Sequence, residues 1–142
     1  KWKSPRQHAG FPFVTWQTEA MRRRFEAGAV PGTVLTPALP SETLVDYGLY
    51  SQIAYGFRQG WVAALRGDYV FPENEGLYEQ ILGPDLDRAS RWRISPSLTY
   101  YPSEFSKIRL QYNFDRRNLI GDDHSVWVEF EFLLGSHAAH KF

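Results

Sequence analysis

The sequence predicts an all-β chain: an antiparallel up-and-down meander of about six long strands, part of a transmembrane β-barrel. Three observations carry that reading. Apolar and polar residues alternate with period two in successive blocks, the signature of strands with two unlike faces. The blocks are joined alternately by short turns and longer loops, which pairs neighbours antiparallel and requires no helix. Aromatic residues make up 16% of the chain and gather at the ends of the blocks rather than at their centres.

The first block is FVTWQTEAMRRRF (13–25), followed by the Gly/Pro-rich loop 28–42. DYGLYSQIAYGF (46–57) and WVAALRGDYVF (61–71) flank the tight turn RQG, a hairpin signal because Gly supplies positive φ. A polar loop (72–88) leads to RWRISPSLTYY (91–101), where Pro96 donates no ladder hydrogen bond and predicts a bulge or local break. PSEFS (102–106) then turns into KIRLQYNFD (107–115), and a longer loop, RRNLIGDD (116–123), precedes SVWVEFEFLL (125–134). KWK at the start reads as the end of a further strand, with SPRQHAG as a short turn.

Sorted by parity, one face carries Leu49, Ile53, Leu65, Ile94, Leu98, Ile108 and Leu110 between aromatic ends, with Val126 and Val128 on the same face. Tyr55, Phe57 and Tyr100 fall beside the short turns. Tyr47, Tyr69, Phe71, Trp92, Tyr112 and Phe114 fall toward the long loops. The opposite face is polar. A soluble small-ligand-binding β-barrel or sandwich would share the periodicity. The block lengths, however, suit tilted spans of roughly 9–11 residues better than globular strands of about 5–6. The aromatic–aliphatic–aromatic order is that of rings settling at two membrane interfaces, and short turns opposite long loops are the usual membrane-barrel asymmetry.

Composition excludes several classes. Lys+Arg and Asp+Glu both number 16, so no net charge argues for nucleic acid. With no cysteine there is no thiol catalysis, disulfide or Cys-based zinc site. No Ser/His/Asp order or nucleophile elbow appears, so neither an enzyme nor a cofactor is expected. Two carboxylate sets are weak metal candidates: the acidic loop 72–88, which lacks EF-hand spacing, and His124 beside Asp122 and Asp123.

The polar face holds the candidate pore-lining residues Glu19, Arg23, Arg66, Asp68, Arg91, Arg93, Arg109, Asp115, Glu129 and Glu131. Hairpin registers centred on the connections set Arg23 opposite Asp46, Asp68 opposite Arg91, Arg93 opposite Asp115 and Arg109 opposite Glu129. That pattern reads either as an ion-pair ladder stiffening a wall or as the charged lining of a water-filled pore; the two can coexist. Five residues of each sign argue against strong anion or cation selectivity. Arg22 and Arg24 point to the other face, above the aliphatic band, where lipopolysaccharide phosphates would sit.

RISPSLTYYPSEFSKIRLQYNFDRR and HSVWVEFEFLLGSHAAHKF, with FVTWQTEAMRRRFEAG and YGFRQGWVAALRGDYV, resemble the C-terminal part of a Gram-negative outer-membrane protein family. Its members are sometimes labelled zinc-regulated TonB-dependent receptors or porin-like proteins. The resemblance covers nearly the whole chain and is most specific in the last 50 residues. It implies that residues 1–142 form one domain, the closing segment of a larger outer-membrane barrel whose N-terminal strands are missing. The implied role is solute passage or uptake, with a non-transporting structural barrel as the alternative. The implied partners are outer-membrane lipid and lipopolysaccharide, the barrel assembly machinery and the remaining strands. No segment matches a plug domain or an energy-coupling box. Such chains commonly end in an aromatic residue read by the assembly machinery, a role that falls on Phe142. His137 and His140 have opposite parities and could share a metal only if the tail coils.

Overall fold

The computed structural model describes residues 2–8, by their backbone, and 10–134. Among them run seven strands: β1 (Trp2–His8), β2 (Phe11–Ala27), β3 (Glu42–Arg58), β4 (Trp61–Pro72), β5 (Arg91–Ser103), β6 (Ser106–Arg117) and β7 (Gly121–Phe132). They form a single antiparallel sheet in sequence order. β1 and β7 are its edges and do not pair with each other, so the described sheet is open. The all-β antiparallel meander expected from the period-two pattern is therefore present.

Several finer expectations are corrected. SPRQHAG is mostly strand: β1 reaches His8, which pairs with Phe11, with a register shift between Lys3 and His8. β2 and β3 are 17 residues each, longer than the blocks that predicted them. Their ladder runs unbroken from Phe13↔Gly56 to Ala27↔Glu42, so pairing continues after the hydrophobic alternation has faded. A helix, α1 (Leu77–Leu82), lies inside the loop read as irregular. The predicted long loop 116–123 is a tight turn, since Arg117 pairs with Gly121 and Leu119 takes φ 70°. The polar residues flanking it had masked a continuing strand. The loop end therefore carries two long connections and one tight turn. Pro96 sits opposite Leu65 without changing the register; the β5–β6 ladder only skips Ser95 and Pro96.

The hairpin at Arg58↔Trp61 needs its glycine: Gly60 has φ 77°, and its carbonyl accepts a 2.8 Å bond from the Tyr101 amide. Gly56 is demanded by close approach, because a Cβ there would lie 2.3 Å from the ring of Phe13, its cross-strand partner.

Burial inverts the usual order. Among the described residues no hydrophobic side chain is buried. The buried polar and charged residues are Asp46, Arg88, Ser95, Thr99, Asn113 and Asp115. Leu49, Ile53, Leu65, Ile94, Leu98, Leu110, Val126 and Val128 are all exposed on the opposite parity. The polar face is concave: one cavity of about 250 Å³ touches residues of all five strands from β2 to β6. Those strands would span roughly 19 Å if flat. Among the described residues no helix is long and apolar enough to cross a membrane.

Candidate functional site: the polar concave face

All ten predicted pore-lining residues share this face, as their registers require. Arg23 donates through Nε to Asp46 Oδ2 at 2.8 Å. Arg93 Nε donates to Asp115 Oδ1 at 2.7 Å, and Arg109 lies 3.4 Å from Glu129. Three of the four expected cross-strand charge pairs therefore form. The fourth slips by two residues: Asp68 stands opposite Arg93, not Arg91. Its carboxylate is held by Arg66 of its own strand, Nε to Oδ1 at 2.9 Å and Nε to Oδ2 at 3.0 Å. The Arg66 guanidinium also covers the Tyr50 ring at 4.0 Å from its centroid. Glu19 accepts from Gln17 Nε2 at 3.3 Å. Arg91 faces Arg117 across the ladder.

Sequence reasoning missed Lys107, Trp127 and the buried role of Arg88, which it places only among the arginines at the long-loop end. Lys107 bridges Glu129 at 3.0 Å and Glu131 at 2.7 Å. Its signal was available, since it shares the parity of Arg109. Arg88 had no periodic signal because it comes from the loop. Its side chain is only 6% exposed and binds Asp46 Oδ1 through Nε and Nη2, both at 3.1 Å, Glu79 at 3.0 Å and the Asn74 carbonyl at 3.2 Å. One buried guanidinium thus ties loop, helix and wall together.

That tie sets where loop 73–90 lies. Glu73 N donates to the Val45 carbonyl at 2.9 Å, Asn74 reaches both Val45 N and the Thr43 carbonyl, and Tyr78 OH reaches the Gly28 carbonyl at 2.8 Å. The loop docks against the projecting end of β3 and brings Arg88 onto the polar face. A cavity of about 540 Å³ opens there, lined by Met21, Arg23, Asp46, Val70, Arg88 and Arg91 among others.

On the opposite face Arg22 stands beside Tyr47, and Arg24 pairs with Glu26 at 3.0 Å with both side chains largely exposed. His124 sits in an aromatic row against Tyr112 and Phe114, not in a carboxylate cluster. Among the described residues no group of three or more His, Asp or Glu converges to hold a metal. Phe142, His137 and His140 lie outside the described residues.

No family model matches the chain, and no solved structure matches it. An uncharacterized protein of Aquifex aeolicus (strain VF5) is 30% identical over 144 aligned residues, which take in 93% of this chain. The chain spans 28% of that protein's length.

Proposed function

We propose that the chain is a wall segment of an outer-membrane β-barrel in a Gram-negative bacterium. Its apolar face lies on lipid and its polar face lines a porin- or receptor-like channel for solute passage or uptake. The inverted burial carries this reading, because a sheet in water would expose its charges and cover its leucines.

The aromatic rows support it. Tyr47 and Phe71 pair directly, Tyr69 and Trp92 pair two residues nearer the short turns, and Phe114 and His124 pair two residues nearer still. The row therefore steps down by about four residues, roughly 14 Å, over four strand spacings of roughly 19 Å. That slope of about 36° matches the 35–45° strand tilt of membrane barrels, whose interfaces cut obliquely across the ladder. Along β4 the rings Trp61 and Tyr69 bracket Leu65, as Trp92 and Tyr100 bracket Pro96 on β5. Eight residues at that slope give an apolar band roughly 22 Å tall, near the ~25 Å of such barrels.

On this reading the open edges of β1 and β7 are closed by further strands of the same protein. Arg22 and Arg24 contact lipopolysaccharide phosphate, and Arg22→Gln with Arg24→Gln should loosen lipopolysaccharide retention during purification. Unchanged retention removes that contact. The reading as a whole is tested on the full-length protein, which should require detergent or lipid to stay monodisperse and should conduct ions in planar bilayers. A monodisperse, stable protein in plain buffer overturns the membrane assignment; a detergent-requiring protein that does not conduct leaves a structural barrel.

A further inference from the structure

The geometry points to a binding trough on the polar face for a neutral polyhydroxylated solute of the saccharide type, with Trp127 as its aromatic platform. The inference deepens the channel reading, which it relies on to bring solute to this face.

The trough follows from one ladder row. Thr15 pairs with Ala54, Ala54 with Ala64, Ala64 with Ser97, Ser97 with Gln111, and Gln111 with Trp127. Across β2 to β5 the row is floored by small side chains. The rows on either side bring longer ones, Gln52 and Arg66 on one and Arg109 and Glu129 on the other. Two cavities result, of about 250 and 270 Å³, and Arg109 and Gln111 line both. Together they approach the size of small-ligand sites.

The charges in this trough are already satisfied. Arg66 is held by Asp68, and Arg109 by Glu129 and, at 3.2 Å, by Thr99 Oγ1. A charged solute would find no unmatched counter-charge and would lose its hydration for little return. The uncommitted groups are neutral. Ser95 is 4% exposed, lines the cavity and has no side-chain hydrogen bond among the described residues. Ser97 and Gln52 have none either, and Gln111 uses only its amide nitrogen, donating to Asn113 Oδ1 at 2.7 Å. Hydroxyls and amides left unpaired in a concave polar surface recognise hydroxyl-bearing solutes and discriminate against those that lack them.

Trp127 supplies the apolar part. It is the aromatic exception on the polar face of β7, 62% exposed, and its orientation is set from below. Its Nε1 donates to Ser125 Oγ at 3.1 Å, and that oxygen also accepts from Asn113 Nδ2 at 3.1 Å. The relay Gln111–Asn113–Ser125–Trp127 fixes an exposed indole beside the free carbonyl of Gln111. A sugar ring matches that pair, laying its C–H face on the indole while its hydroxyls meet amide and serine oxygens.

Maltotriose is a suitable neutral probe, titrated into full-length protein in detergent and followed by calorimetry and tryptophan fluorescence. Saturable binding is expected with a midpoint on the order of 1 mM. Trp127→Ala should raise the midpoint at least about tenfold and Trp127→Phe about threefold or less, since the ring is the platform. No saturable signal, an unchanged midpoint in Trp127→Ala, or equally tight binding of the anionic trisaccharide trigalacturonate overturns the proposal. Sugar-free bilayer conductance reads the channel assignment separately. Conduction without sugar binding sinks the trough alone; binding without conduction sinks the channel alone.

Discussion

Replacing Asp46 with alanine should destabilise the protein by about 3 kcal/mol and free loop 73–90 for proteolysis. Asp46 accepts twice from Arg23 and twice from Arg88, and the Arg88 side chain is 6% exposed. Removing one partner of a buried pair costs about 3–5 kcal/mol, because the remaining charge is left desolvated without its counter-charge. The lower end applies here, since Glu79 and the Asn74 carbonyl still hold part of the guanidinium. Arg88→Met should do less harm, as it removes the buried cation along with its pairs. Denaturant unfolding and limited proteolysis of the full-length protein check this. A loss under about 1 kcal/mol with the loop still protected would show that the Glu73 and Asn74 bonds to Val45 and Thr43 hold it unaided.

The meander was legible because a two-residue period is imposed by the pleat itself, and every strand from β3 to β7 has the same face richer in apolar residues. The cross-strand pairs at Arg93 and Arg109 were legible for the same reason: the short connections at 104–105 and 118–120 leave little freedom of register, and the opposite residue follows. The Arg23 pair spans the long loop 28–41, and its register was matched by centring the hairpin rather than by any turn. Asp68 was misplaced because its loop, 73–90, is long enough to leave the β4–β5 register undetermined from sequence. Helix α1 and the tie from Arg88 to Asp46 were invisible. Neither is periodic, and Arg88 is placed by contacts with Asp46, 42 positions away. Trp127 was overlooked because parity alone assigns it to the polar face, where a large ring has meaning only after the neighbouring small residues are located.

The apolar face on lipid is the central claim, and Gly67 probes it without steric complication. Gly67 shares that face with Leu65, lies between it and Tyr69, and a Cβ added there meets nothing within 4 Å. In water, glycine in a strand interior is unfavourable by about 0.5–1 kcal/mol relative to alanine, so a side chain there would help slightly. Facing hydrocarbon, an arginine costs about 2–4 kcal/mol at the bilayer midplane and less toward the interfaces, so roughly 2 kcal/mol is expected at this depth. The two environments differ in sign. Ala64→Arg, on the other face of the same strand, should stay within about 1 kcal/mol because its head group reaches an aqueous lumen. The decisive measurement is therefore the reversible unfolding free energy of full-length Gly67→Arg and Ala64→Arg in lipid vesicles. A loss of about 2 kcal/mol confined to Gly67→Arg supports the lipid-facing assignment, and a neutral or stabilising Gly67→Arg contradicts it.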